Sequence, residues 1–266
     1  MLKDITLGQY FPGESIIHRA DPRVKIILTI AYMVVIFIAD TYFGFLMLSL
    51  FTLLTLVISG IPFKYTIKGL KPILFIMIFA TVINVFFVKE GKTIFEYGFI
   101  HITSVGVERA VKMAIRLTLL IITASMLTLT TTPILLTDAI ESLMKPLSKL
   151  GVPAHEIAMM MTIALRFIPT LLEETDKIMK AQAARGADFD TGNLVQRAKS
   201  FIPVLVPLFI SAFRRADELA TAMEARCYRG SEGRTRMRQL KFGKVDAVIA
   251  AFTLTLLGLV IYLQFM

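Results

Sequence analysis

The stretch "FLMLSLFTLLTLVISG" (residues 45–60) carries no charged side chain and approaches the length of one helical crossing of a lipid bilayer. A second apolar block, "VKIILTIAYMVVIFIA" (24–39), lies just before it, and only the short break "DTYFG" (40–44) separates the two. Because so short a connection joins elements that lie side by side, the two blocks are predicted to form antiparallel neighbouring helices.

Similar blocks recur along the rest of the chain. Spans three, four and five are predicted at 72–88, 107–131 and 245–265, and the mixed sequence at 89–106 is predicted to be a loop or a short interfacial element. Hydrophobic residues make up 56% of the 266 positions, which is more than a soluble domain of this length can bury. The predicted fold is therefore an all-α polytopic membrane protein with about five transmembrane helices.

Basic residues cluster at the ends of the apolar blocks and give the chain a formal net charge of +9. By the positive-inside rule, the clusters before spans one, three and five predict a cytosolic N-terminus and a C-terminus outside. This distribution explains the charge without nucleic-acid binding. Arg109, Lys112 and Arg116 are the exception and count against this orientation, because they fall on the outer side of span four, where the outer headgroups are within reach of long basic side chains.

The first residues of the chain contain acids and prolines and do not resemble a cleavable signal peptide. They are expected to form a cytosolic leader that lies against the helical bundle. Cys227 is the one cysteine of the sequence, so an intrachain disulfide is excluded.

The region 132–244 is too polar for a pair of spans and too apolar for an ordinary loop. It is predicted to form a cytosolic helical domain between spans four and five, because a loop of that length requires structure of its own. The predicted organisation is a leader with transmembrane helices one to four (1–131), the cytosolic helices (132–244), and a last transmembrane helix (245–266).

Two segments of this region, "AQAARGAD" (181–188) and "TAMEARCYRG" (221–230), each end a long helix that begins apolar and becomes charged. An arginine near a helix C-terminus followed by glycine is an ordinary stop signal. The occurrence of two Ala-Arg pairs, with further alanines one turn earlier, favours a second interpretation. Small residues permit close approach, and a guanidinium group suits an acidic groove on a partner protein. The tripeptide "FIP" precedes both ends, at 167–169 and 201–203, and indicates a weak internal repeat.

The sequence contains no signature of a catalytic or metal site. The phosphate-binding pattern G-x-x-x-x-G-K-[S/T] does not occur, and the three histidines lie too far apart for metal-ligand spacing. The acidic run at 173–176 precedes lysines at helical i,i+4 spacing and is predicted to form a solvated, salt-bridged face. The methionines of "AMMMTIAL" (158–165) fit either a surface that repacks against varied partners or ordinary core filling.

Nearly the whole chain resembles EcfT, the transmembrane T component of energy-coupling factor (ECF) transporters. The most specific segments are "AARGAD" (183–188) and "MEARCYRG" (223–230), with "RFIP" (166–169) in support. The resemblance implies a multi-pass, non-enzymatic coupling subunit of an ABC-type importer in a bacterial cell membrane. Its implied partners are two ATPase subunits, which would bind ATP and magnesium, and a substrate-binding S component for vitamins or other micronutrients. This chain itself would bind no cofactor and no metal.

The resemblance also implies site residues. The ATPase-docking positions carried over are Ala184, Arg185, Gly186, Ala225, Arg226, Cys227, Arg229 and Gly230. Cys227 stands where the family pattern has glycine, and a cysteine can stay helical. Gly230 could therefore be the true terminator, which leaves both Arg226, the favoured residue, and Arg229 as candidates for the main second contact. The implied platform for the S component comprises Met159, Met160, Met161, Phe167, Pro169, Phe201, Pro203 and Pro207.

Two other classes of function remain as alternatives. A membrane-embedded lipid-processing enzyme would need clustered acids or histidines near the membrane surface, and a stand-alone carrier would move a solute through liposomes that contain this chain alone.

Overall fold

The computed structural model describes residues 10–87, 90, 92–97, 100–189, 191, 193–230 and 240–266. The described residues form two compact units, which divide within the sixth helix. We call them the bundle unit, drawn from 8–139 and 239–266, and the paired-helix unit, drawn from 140–238. The helices of the bundle unit are α1 (Ile16–Arg19), α2 (Pro22–Ile38), α3 (Tyr42–Ser59), α4 (Phe63–Phe87), α5 (Ser104–Thr130) and α10 (Lys244–Phe265).

The remaining elements connect these helices or belong to the paired-helix unit. An antiparallel hairpin of β1 (Thr93–Tyr97) and β2 (Ile100–Thr103) lies in the segment that was predicted to be a loop or an interfacial element. The helices after α5 are α6 (Pro133–Met144), which continues into a 3₁₀ turn (Lys145–Leu150), then α7 (Ala154–Ala184), α8 (Leu194–Ser200) and α9 (Ile202–Ala225).

Five of the described helices are long and apolar enough to cross a membrane: α3, α5, α7, the α8–α9 stretch (Val195–Ala225) and α10. Apart from the short hairpin, the chain therefore has the all-α polytopic fold that was predicted. Two of the five lie in the region predicted to be cytosolic. They satisfy this criterion because their first halves are apolar, although their second halves are charged.

The predicted spans one and three have different bounds in the structure. The first was predicted at 24–39 and corresponds to α2, which begins at Pro22, ends at Ile38 and has 17 residues. The third was predicted to begin at Pro72, but α4 begins at Phe63 and bends by 64° between Phe63–Lys71 and Ile73–Phe87. Proline lacks a backbone N–H and weakens a helix at its own position, so Pro72 marks the bend rather than the start. With its two segments taken as one span, α4 is a sixth candidate crossing.

The core of the bundle unit lies where α2, α3, α5 and α10 meet. Ile36 and Leu48 are fully buried there, and Leu119 and Val260 close the cluster from α5 and α10. The hydroxyl of Tyr32 donates to the Leu48 carbonyl at 2.7 Å, which joins α2 to α3 by a buried hydrogen bond. Such bonds are favourable in an apolar setting because neither group has water as an alternative partner.

Arg116, one of the three basic residues that count against the predicted orientation, is bound by protein groups at the C-terminus of α2. Its guanidinium donates to the carbonyls of Ile36 and Ala39, at 3.2 and 2.8 Å. The Ile36 carbonyl belongs to the last turn of α2 and the Ala39 carbonyl to its C-cap residue, where the backbone has no helical donor left and the helix dipole favours a cation. Lys112, one turn earlier on α5, forms ion pairs with Asp40 and Glu108. Arg116 and Lys112 are therefore both bound by protein groups at this end of the bundle.

The opposite end of α2 is held by the leader and by α10. Asp246, in the first turn of α10, is buried and accepts a hydrogen bond from the backbone N–H of Asp21 at 2.7 Å. Asp21 forms an ion pair with Arg23. Burial alone would raise the pKa of the Asp21 carboxyl, but hydrogen bonds from Arg23 and nearby positive charge bring it below its ordinary value. The described part of the leader lies against the bundle as predicted, since the Phe11 N–H donates to the Leu129 carbonyl at 2.9 Å.

Candidate functional site

The first Ala-Arg pair lies at the end of α7, as the sequence predicts. The helix ends at Ala184, Arg185 is the C-cap, and Gly186 adopts a left-handed conformation with φ of 89°. The Gly186 N–H donates to the Ala183 carbonyl and the Ala187 N–H to the Gln182 carbonyl, both at 3.0 Å. This pair of bonds is a Schellman motif, which satisfies carbonyls that would otherwise lack a partner and turns the chain sharply after the arginine.

The second Ala-Arg pair ends α9 in the same way. Ala225 is the last helical residue, Arg226 is the C-cap, and Cys227 has φ of 55°. The Cys227 N–H donates to the Glu224 carbonyl at 2.9 Å and the Tyr228 N–H to the Met223 carbonyl at 3.0 Å. The C-cap arginines have closely similar backbone angles, with φ and ψ of −92° and 7° at Arg185 and −92° and 12° at Arg226.

Cys227 therefore takes the conformation that glycine takes in the first end. The alternative that the helix continues through Cys227 and stops at Gly230 is wrong, because two Schellman hydrogen bonds close the helix before the cysteine. Gly230 does have a positive φ of 85°, but it belongs to the chain after the helix. Arg229 consequently lies outside the helix end, and Arg226 is the residue equivalent to Arg185.

Both C-cap arginines are exposed, as are Ala184, Gly186, Ala225, Cys227 and Arg229, whereas Gly230 is half-buried. Neither Arg185 nor Arg226 forms an ion pair with another residue in the part of the chain that the structure describes. Each thus presents a free guanidinium beside a small alanine. That combination leaves room for an external carboxylate to approach in the planar, two-bond geometry that arginine favours.

Three contacts show that α7 and α9 run antiparallel. Near the end of α7, the Gln182 amide donates to the Pro203 carbonyl at the start of α9, at 3.4 Å. Midway, Glu174 on α7 contacts Ser211 and Arg215 on α9. At the start of α7, His155 Nε2 lies 3.4 Å from the hydroxyl of Tyr228, just after α9. The two arginine-bearing ends therefore point to opposite ends of the helix pair.

The second helix end has an additional side-chain contact at Tyr228, just after α9. His155 Nδ1 lies 3.0 Å from Glu141 Oε1, and its other nitrogen faces Tyr228, so a Glu141–His155–Tyr228 chain joins α6, α7 and the residue that closes the second Schellman motif. Sequence patterns could not indicate this chain, because its members lie 14 and 73 residues apart.

The predicted platform residues lie on α7 and around the start of α9. Met160, Met161, Pro169, Phe201, Pro203 and Pro207 are exposed, and Met159 and Phe167 are half-buried. The apolar surface of α9 extends beyond these named positions, within the apolar stretch 201–213 that the sequence also indicates as part of the platform. Leu205, Phe209 and Phe213 are exposed on this helix, and the last two rings stack with centroids 6.4 Å apart. Their i,i+4 spacing in the sequence predicts that these three side chains lie on one face of the helix.

The two "FIP" tripeptides are not equivalent in the structure. Phe167 lies inside α7, whereas Phe201 lies in the break between α8 and α9.

Within the described ranges, no group of three or more His, Cys, Asp or Glu side chains is arranged to hold a metal ion. The acidic run at 173–176 includes one ion pair of the predicted kind, between Asp176 and Lys180 at 2.6 Å.

The helix pair and its two matched ends can be compared with known proteins. Residues 13–237 match the family model CbiQ, described as cobalt transport protein. Three relatives are named energy-coupling factor transporter transmembrane protein EcfT. The one from Ruminiclostridium cellulolyticum is 65% identical and covers 100% of this chain and 99% of its own length. The relative from Thermosediminibacter oceani is 57% identical, with 96% and 95% covered, and that from Bacillus subtilis is 45% identical, with 99% and 100% covered. The chain therefore belongs to the EcfT family, the transmembrane components of energy-coupling factor transporters, and is a non-catalytic, multi-pass membrane subunit.

Proposed function

We propose that this chain links two ATPase subunits to a substrate-binding S component in an ABC-type importer for vitamins or other micronutrients. The observation that carries the proposal is the pair of matched helix ends. Arg185 and Arg226 occupy the same C-cap position in two Schellman motifs, both are exposed, and the described residues supply neither with an ion-pair partner.

Each arginine would enter an acidic groove on one ATPase subunit. A buried ion pair holds two proteins together firmly, because removing one partner costs about 2–5 kcal/mol, much of it for leaving the other charge unpaired. When the ATPases approach and separate during their cycle, the helices would follow. ATP and magnesium would bind to the ATPases, and this chain would carry the movement without binding a cofactor.

The S component would lie against the apolar surface of α7 and α9. This surface includes the predicted platform residues together with Phe209 and Phe213, which are 62% and 68% exposed. Large exposed apolar areas on a described unit indicate a surface that meets lipid or another protein. Movement of α7 and α9 would then shift the S component in the membrane and release its substrate into the cytosol.

The proposed orientation places both arginine ends and the N-terminus in the cytosol, and the C-terminus outside. Arg116 and Lys112, which contradict the positive-inside pattern, fit this orientation because both are held by protein groups. A cation that caps a helix or pairs with a carboxylate is a weaker topological signal than a free one.

A pull-down with both ATPase subunits tests the docking proposal. Reversing both charges, Arg185→Glu with Arg226→Glu, should abolish co-purification, and each single reversal should weaken it. Arg229→Glu is the matched control, because Arg229 is exposed and close in sequence but lies beyond the helix end. Retention of both ATPases by the double variant at the yield of the unmodified chain would contradict the proposal. Loss with Arg229→Glu alone would transfer the second contact to Arg229.

A further inference from the structure

The contact between Glu174 and Arg215 lies at the same distance along the chain from both docking ends. Glu174 precedes Arg185 by eleven residues, and Arg215 precedes Arg226 by eleven residues. Because α7 and α9 are antiparallel, the ion pair joins equivalent positions of two helices that run in opposite directions. An approximate twofold axis through this contact would exchange the two arginine ends.

The contact is less exposed than an ordinary surface ion pair and includes an additional hydrogen bond. Arg215 Nη2 lies 2.8 Å from Glu174 Oε2, and the hydroxyl of Ser211 donates to the other carboxylate oxygen. The two charged side chains are only 23% and 35% exposed. Partial burial and a second hydrogen bond reduce the screening that makes exposed ion pairs weak, so this contact can fix the position at which the helices cross.

We infer that Glu174, through its bridge to Arg215 and Ser211, is a positioning residue that sets the separation of the two docking arginines. The inference rests on the proposed function, because the separation matters only if Arg185 and Arg226 bind partners. Eleven helical residues at about 1.5 Å each place each end about 16 Å from the bridge. For straight helices the ends are then roughly 33 Å apart. An antiparallel pair held at its midpoint presents two equivalent ends, which matches a partner made of two similar subunits.

The inference is tested by the distance between spin labels at the two ends in the full-length chain, purified without partners. One label is attached to Cys227, the one cysteine of the sequence, and the other to the cysteine introduced by Ala183→Cys, at an exposed position of α7. The reference chain should give a single narrow distribution on the order of 33 Å. Arg215→Glu sets two carboxylates against each other and should broaden or shift it. Adding Glu174→Arg to that variant reverses the pair and should restore the narrow distribution.

The matched control is Lys180→Glu. It changes the net charge by the same amount as Arg215→Glu, but the change lies on α7 and breaks the Asp176–Lys180 pair within that helix. It should leave the distribution narrow, since the Asp176–Lys180 ion pair joins two residues of the same helix. Glu174→Gln keeps the side-chain shape and provides a milder test if Arg215→Glu lowers the yield of folded protein. A narrow, unshifted distribution in both Arg215→Glu and Glu174→Gln would overturn the inference. Equal broadening by Lys180→Glu would do the same.

This measurement separates the inference from the proposed function. The labelled chain carries intact Arg185 and Arg226 and needs no ATPase, so its result stands even if the pull-down shows no docking. If docking is confirmed and the inference holds, the Glu174→Gln chain should still bind both ATPases, but a reconstituted importer should take up less substrate per ATP hydrolysed. A change in helix stability alone would lower assembly and activity together and would not alter that ratio.

Discussion

The left-handed conformation of Cys227 predicts that glycine at this position stabilises the end of α9. The φ of 55° lies in a region that costs a residue with a Cβ roughly 1–2 kcal/mol. Cys227→Gly removes this cost. Glycine also increases the conformational entropy of the unfolded chain, which lowers the stability of the folded state by about 0.4–1 kcal/mol. The net expectation is a stabilisation of about 0.5–1 kcal/mol.

Gly186→Ala at the first end is the mirror experiment. A Cβ built at Gly186 meets no atom within 4 Å, so the substitution introduces the left-handed strain without a steric clash. The same two terms then apply with opposite sign, and the end of α7 should lose about 0.5–1 kcal/mol. Because the two C-cap arginines have nearly the same backbone angles, the two effects should be similar in size.

Amide hydrogen exchange measures this quantity locally. The N–H groups of Cys227 and Tyr228, and those of Gly186 and Ala187, exchange only when the Schellman bonds open. Since 1.4 kcal/mol corresponds to a factor of ten, exchange in the 223–230 peptide should slow by about two- to fivefold in Cys227→Gly. Exchange in the 182–188 peptide should accelerate by about the same factor in Gly186→Ala. Equal rates in Cys227→Gly and the unmodified chain, or a change of the same sign at both ends, would refute the reasoning.

Two further predictions concern the bundle unit. Arg116→Ala should lower the free energy of unfolding in detergent by about 1–3 kcal/mol, because it leaves the Ile36 and Ala39 carbonyls without their donor. Arg109→Ala removes an exposed ion pair with Glu90 and should change the free energy of unfolding little. Equal losses of unfolding free energy in the two variants would contradict the assigned role of Arg116. Burial lowers the pKa of His18 below its ordinary value of 6.5, with Lys25 acting in the same direction against the hydrogen bond to Phe11. The folded state thus favours the neutral ring, so stability should fall as the pH drops below about 6.5, and thermal midpoints from pH 8 to 5 should show a flatter profile for His18→Gln.

The sequence predicts the parts of this protein that depend on local pattern. Apolar blocks of sufficient length locate α3, α5 and α10 to within a few residues, since the length of a crossing and the cost of burying backbone groups in lipid leave little freedom. The two Ala-Arg ends are also local features, and both lie where the pattern places them. Two local interpretations were wrong: span three does not begin at Pro72, and the alternative of helical continuation through Cys227 underestimated how strongly two Schellman bonds impose a left-handed residue.

The contacts that the sequence did not reveal join residues that are distant along the chain. Glu174 lies in an acidic run that was interpreted as a solvated face, yet its partners are 37 and 41 residues away on α9. Arg116 donates to carbonyls 77 and 80 residues before it. Spacing along one helix identifies which side chains share a face, but it contains no information on which other helix covers that face.

The contrast between the two classes of arginine is the physical basis for the docking proposal. Arg116 and Arg215 are partly buried and bound, because a cation removed from water is stable only when protein groups replace its hydration. Arg185 and Arg226 are left in the open at rigid helix ends, although an arginine there could have folded back onto the last carbonyls, as Arg116 binds those of α2. The Schellman motifs already satisfy two of these carbonyls at each end, and neither guanidinium group has an ion pair with a described residue to give up when an external carboxylate binds it. The backbone hydrogen bonds that end each helix are thus also what keeps each arginine available to a partner.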